Sequence, residues 1–222
     1  MKAEIDNECL DTLLIKSSIP EESLDTLLIK PMIPGESPDT VIEKCIYNIL
    51  LALGENPDRP GLIETPKRVR KAYQEIFGSV HKSNEEIAEE NSKLFYIESN
   101  DLVTELHIPC YSMCEHHLLP MKLDISIGYI PKGKVLGLSK MARLADAVCR
   151  RPQLQERIGH DIADIMMKAT GSEDVIVVID GEHLCMTMRG IKKPGTTTRT
   201  AAMRGRFDSD HALRQEFYDL MK

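Results

Sequence analysis

Residues 114–117 read Cys-Glu-His-His and run into the apolar pair Leu118-Leu119. Cys114 and His117 stand at i and i+3, so a helical or tight turn aims both side chains the same way while His116 projects elsewhere. A thiolate and an imidazole suit Zn2+, and no second pair at zinc-finger spacing lies nearby, so the remaining ligands must come from far along the chain. The segment GEHLCMTMRG, residues 181–190, offers the missing types. Read as the continuation of a strand, its alternation places His183, Cys185, Thr187 and Arg189 on one face and Leu184, Met186 and Met188 on the other. Cys114, His117 and Cys185 then make three protein ligands and leave the fourth tetrahedral position to water, as in a catalytic zinc site. Zinc lowers the pKa of such a water to roughly 7, and His116 and His183 would flank it as proton carriers.

Alternatives exist at this level. CEHH alone is matched equally well by a surface loop that happens to hold two histidines. It is the second segment, independently carrying the complementary ligand types, that favours a metal. Cys110 is a rival ligand, and a site using Cys110, Cys114, His117 and Cys185 would be closed and structural. Cys9, Cys45 and Cys149 sit in helical or arm patterns and read as small apolar residues. His81, His107, His160 and His211 have no partner pattern and read as surface or packing residues.

The elements that must position these groups are legible in part. A helix with Asp39 near its start carries Val41, Ile42, Cys45, Ile46, Ile49 and Leu50 and stops near Gly54; another starts at Thr65 as N-cap with Pro66 at its first position. From about residue 101 the pattern alternates: DLVTELHI and KLDISIGYI read as strands, the second with Leu123, Ile125, Ile127 and Tyr129 on one face. Ser139 is the expected N-cap of a helix in LSKMARLADAVCR. A helix follows Pro152 with Leu154, Ile158, Ile162, Ile165 and Met166 inward, DVIVVID is a third strand, and DSDHALRQEFYDLM closes the chain as a helix with Leu213, Phe217 and Leu220. Strands grouped with helical pairs give an α+β fold with a mainly antiparallel sheet.

Residues 1–35 hold a 14-residue repeat, ECLDTLLIKSSIPE then ESLDTLLIKPMIPG, too short for a stacking solenoid and interrupted by Pro20 and Pro34. They are expected to form a poorly ordered acidic arm, followed by a helical segment over 36–100 and a catalytic domain over 101–222. No apolar run approaches the roughly 18 residues of a membrane span, and the N-terminus carries acids where a secretion signal would carry bases, so a cytoplasmic protein with reduced thiols is expected. The net charge of -7 argues against an extended nucleic-acid footprint, although local clusters such as RGIKK can still receive an anion.

Four separated motifs, YSMCEHHLLP, GYIPKGKVLGLSKMARL, RRPQLQERIG and HLCMTMRGIKKPG, resemble in this order the GTP cyclohydrolase I family, as does NPDRPGLIETPKRVRKAY upstream. That family uses zinc to open the guanine ring of GTP and rebuild it as 7,8-dihydroneopterin triphosphate, releasing formate. The resemblance implies one zinc per subunit on Cys114, His117 and Cys185, whose hydroxide adds to carbon 8, with His183 protonating nitrogen 7 and His116 shuttling protons. It implies that Glu156, with Gln155, reads the guanine edge and that Ser139 orients the ribose. Lys140, Arg143, Arg189, Arg68 and Lys71 would neutralise the triphosphate; from the residues alone, Arg68 and Lys71 read as a solvated basic face. It further implies the tunnelling fold (antiparallel strands with paired helices on one side) and a homo-oligomer, commonly a decamer, with sites at subunit interfaces. Neither a membrane nor a nucleic acid enters as a partner; the product feeds tetrahydrofolate or another pterin, and allosteric control is left open. Two rivals stand beside it: a same-fold nitrile reductase of queuosine synthesis, with a nucleophilic Cys and no zinc, and a non-catalytic zinc-stabilised module that binds GTP unchanged.

Overall fold

The computed structural model describes residues 36–222, so the repeat-bearing segment 1–35 and Cys9 lie outside the described residues. The described residues divide into two compact units, 36–67 and 68–222. In the first, α1 (Pro38–Ala52) begins where Ser37 Oγ accepts the Thr40 N–H at 3.2 Å, with Pro38 in the opening turn. The chain leaves this helix through Gly54 at φ 85°, a left-handed position suited to glycine. The helix forms as its spacing predicts, yet none of its residues is buried, and Cys45, expected as apolar filler, is exposed. α2 (Thr65–Ile76) opens on Thr65-Pro66 at the end of this unit.

The second unit takes in α3 (Asn84–Glu90), which the hydrophobic pattern alone does not announce. Its signal is the capping box: Ser83 Oγ accepts the Glu86 N–H while Glu86 Oε2 accepts the Ser83 N–H. β1 (Leu94–Tyr96) pairs with β4 (Lys134–Leu136) as a two-stranded ribbon. Between them lie β2 (Val103–Cys114) and β3 (Pro120–Tyr129), an antiparallel hairpin. α4 (Leu138–Cys149), β5 (Pro152–Gln153), α5 (Gln155–Thr170), β6 (Val175–His183), α6 (Leu184–Thr187), β7 (Thr198–Arg204), α7 (Arg206–Ser209) and α8 (His211–Leu220) complete the chain. The main sheet runs β5-β2-β3-β6-β7, antiparallel except for the parallel β2–β5 edge.

The core explains the order. Leu123, Ile125, Ile127 and Tyr129 of β3 share their buried face with Val175, Val177 and Ile179 of β6, and α4 and α5 cover it with Leu144, Val148, Ile158, Ile162 and Met166. Each such side chain contributes about 1.5–3 kcal/mol by leaving water. On the opposite face Ile176 and Val178 pack with Phe207, Leu213 and Phe217 from α7 and α8. β6 is therefore apolar on both sides, which is why VIVVI reads as an unbroken run.

Two local expectations are corrected. Ser139 does not cap α4; the N-cap is Gly137, two residues earlier, and its N–H donates to the Lys93 carbonyl at 3.1 Å and so ties the helix start beside β1. Leu220 is half-exposed, because only Leu213 and Phe217 of α8 are buried against the sheet.

Gly128 of β3 leaves the hollow that Phe217 fills; a Cβ there would stand 2.7 Å from two ring carbons. Gly128→Ala should therefore lower unfolding stability by about 1–3 kcal/mol, the usual overpacking range, read as a reduced urea midpoint.

Candidate active site

Strand register brings the chemistry-bearing residues together. The β2–β3 hairpin closes through the Cys114 N–H donating to the Leu119 carbonyl at 2.9 Å. Within it the Cys114 carbonyl accepts the N–H groups of His117 (3.3 Å) and Leu118 (2.8 Å), so residues 114–117 form the tight turn that the i, i+3 spacing predicts. Leu118 takes φ 50° to complete the loop, a conformation uncommon for a residue with a side chain. Across the sheet Met121 pairs with His183, which sets the end of β6 beside this turn. On the other side β5 runs parallel to Met113–Cys114, and Gln155 and Glu156 follow at the start of α5.

The strand does not continue through Cys185. β6 stops at His183 and the chain curls into the short helix α6, so alternation is the wrong frame for residues 184–189. The reason is a want of partners: β3 begins at Pro120, which has no N–H to offer a ladder, and the pairing of β6 with β7 ends at Gly181–Thr198. Arg189 lies beyond α6 and still reaches the same site, close to His117.

Ligand atoms of Cys114, His117 and Cys185 all lie within 4.8 Å of one another, and this is the metal-capable cluster among the described residues. Two thiols and one imidazole from two distant segments suit zinc. Their electrostatics point the same way: burial raises the Cys185 thiol pKa, and the neighbouring Cys114 raises it further. Two thiols this close resist ionising together unless a cation sits between them, so the donor set fits a divalent ion. Cys110 is not part of the cluster; it is buried on β2 opposite Leu123, and its thiol and burial push the Cys149 thiol pKa up.

His116 and His117 are exposed, and His116 Nδ1 lies 3.9 Å from Cys114 Sγ. His183 is half-buried, and desolvation lowers its pKa against an opposing pull from the Glu156 carboxylate. Arg189 Nη1 lies 3.0 Å from His117 Nε2. Glu156 is exposed, whereas the Gln155 side chain is turned inward and fully buried. Ser139 and Arg143 are exposed on the first two turns of α4, and Lys140 Nζ donates to the Glu90 carbonyl at 2.9 Å. Arg68 and Lys71 are exposed on α2, without a described contact to the cluster.

The sequence reading passed over the group that holds the ligand turn. Glu115 is anchored through its N–H to the Gln153 carbonyl at 3.1 Å and through its carboxylate to Arg157 Nη1 at 2.6 Å. Arg157 holds the Glu115 carboxyl below its ordinary range. No spacing rule could pair residues so far apart in the chain.

The fold and site together define an α+β enzyme domain with a Cys/His/Cys centre at one end of its sheet. The sequence pattern of the GTP cyclohydrolase I family matches residues 42–222, and the chain belongs to that family. It is 56% identical over 176 residues to a GTP cyclohydrolase 1 of Clostridium botulinum (strain Loch Maree / Type A3), covering 76% of this chain and 90% of that protein. It is 51% identical over 188 residues to a GTP cyclohydrolase 1 of Clostridium beijerinckii, covering 82% and 95% respectively. Among solved structures, the archaeosine synthase QueF-Like in its apo form overlaps 49% of this chain and 97% of that chain at 21% identity, with a TM-score of 0.41.

Arg157→Leu should loosen the ligand turn without removing a ligand. The expected outcome is a drop of about 10- to 100-fold in zinc affinity, measured by competition with a chromogenic chelator, while the urea midpoint of the metal-free protein stays close to wild type.

Proposed function

We propose that this chain converts GTP to 7,8-dihydroneopterin triphosphate and formate, with one zinc ion per subunit held by Cys114, His117 and Cys185. The observation that carries the reading is that these three donors converge within 4.8 Å at a strand end that also bears His183. A zinc ion held there supplies a water acidified into the neutral range and a positive charge beside the purine.

The rest falls to the chain's own side chains. His183 takes up a proton and delivers it to purine nitrogen 7. His116, exposed beside Cys114, moves protons during ring opening and formate loss. The Glu156 carboxylate accepts two parallel N–H bonds from the guanine edge, a pattern adenine does not offer. Ser139 orients the ribose. Lys140, Arg143, Arg189, Arg68 and Lys71 neutralise the triphosphate, the first two near the N-terminus of α4, where the helix dipole already favours an anion. Lys140 must leave the Glu90 carbonyl to do so.

Family membership supports extending the reading to the tunnelling fold, with residues 101–222 as the catalytic domain. It likewise supports a homo-oligomer, commonly a decamer, whose neighbours share sites, and a first step toward tetrahydrofolate or another pterin. We assign the reaction to the cytoplasm; no helix among the described residues is long and apolar enough to cross a membrane.

Incubation with GTP should release formate and develop a pterin absorbance, and ATP should give neither. Cys185→Ala is expected to abolish zinc binding and turnover together. His183→Ala should retain zinc while losing about 10²- to 10⁴-fold in rate, and a near-normal rate in that variant would remove the proton-transfer role.

A further inference from the structure

The carboxamide of Gln155 occupies a gap in the sheet and is bonded on every side. Its Nε2 lies 3.1 Å from the Ile179 carbonyl, 2.9 Å from the Thr198 carbonyl and 3.2 Å from Thr200 Oγ1. Its Oε1 lies 2.7 Å from His183 Nε2. The residue is 1% exposed, so its side chain is not presented to a ligand in the cleft. Gly181, two positions before His183 on β6, makes the gap: a Cβ there would fall 2.1 Å from Gln155 Oε1 and 2.9 Å from Leu123 Cδ2.

These contacts remove the usual ambiguity of an amide. Two of the three partners of Nε2 are backbone carbonyls, which only accept, so the nitrogen must face them and the oxygen must face the histidine. An amide oxygen also only accepts. His183 Nε2 must therefore carry a hydrogen, which leaves Nδ1 as the acceptor nitrogen of the neutral ring.

We infer that Gln155 is a positioning residue that fixes the ring orientation and the Nε2–H tautomer of His183, so that Nδ1 is the nitrogen left to contact substrate. The inference rests on the reading of His183 as the proton carrier and replaces the expected contact between the Gln155 side chain and guanine. Gly181 is part of the same device, because a side chain there would evict the carboxamide.

The test uses the zinc-loaded full chain labelled with 15N-histidine, with the His183 signals identified by their loss in His183→Ala. At pH 8 and without substrate, wild type should show a protonated Nε2 and an unprotonated Nδ1 at His183. Gln155→Met, close in volume but without the amide, should give a tautomer mixture. It should lower kcat by about 10- to 100-fold with the KM for GTP within about twofold. Gly181→Ala should reproduce both changes. A protonated Nδ1 in wild type would overturn the proposal. So would a Gln155→Met protein with unchanged histidine signals, or one whose KM rises while kcat holds, since that is the signature of a lost substrate contact. Should Gln155→Met not fold, the wild-type spectrum decides alone. If wild type turns over no GTP yet shows the Nε2–H tautomer, the functional reading falls and only the tautomer that Gln155 fixes stands.

Discussion

The register of the β2–β3–β6 ladder is the constraint on which the site depends. Met113 opposite Pro120 and Met121 opposite His183 bring a turn near residue 115 and a strand end near residue 183 to the same end of the sheet. A slip of one residue would send His183 to the other face and separate it from the thiols. The slip is opposed all along the ladder, because Leu123, Ile125 and Ile127 would exchange places with Lys122, Asp124 and Ser126 beneath α4 and α5. The geometry of a few polar atoms is thus set by the burial of apolar side chains several residues away.

Around that end, each functional group is held by a contact chosen for its chemistry. Arg157 fixes Glu115 through an exposed ion pair, which contributes orientation more than energy because solvent screens it. Gln155 works by the opposite means, in a desolvated gap where an unmade hydrogen bond is costly and the amide therefore has one orientation. Arg189 rests near His117 and Lys140 on a backbone carbonyl, so both cations have provisional partners in this state.

Most of the fold was legible where a pattern repeats. The β3 face and the inward stripe of α5 follow from period-two and period-3.6 spacing, and β6 from its unbroken apolar run. The three-residue β1 and β4, the two-residue β5 and the turn α6 were not, since elements this short have no period and take their form from neighbours. The convergence of Cys114, His117 and Cys185 was legible in residue types and the spacing of Cys114 and His117, although the strand frame that supplied Cys185 was wrong. Gln155 was assigned to the substrate by resemblance; its inward aim depends on the gap at Gly181, and a glycine inside a strand pattern was the available clue.

The three donors arrive on a hairpin loop and on a helical turn, both lying just beyond the last pairs of a ladder that is already complete. A divalent ion leaving this cluster would therefore relax two tips and leave the apolar layers beneath them in place, unlike the small zinc-organised modules whose folding free energy is the binding free energy of their ion.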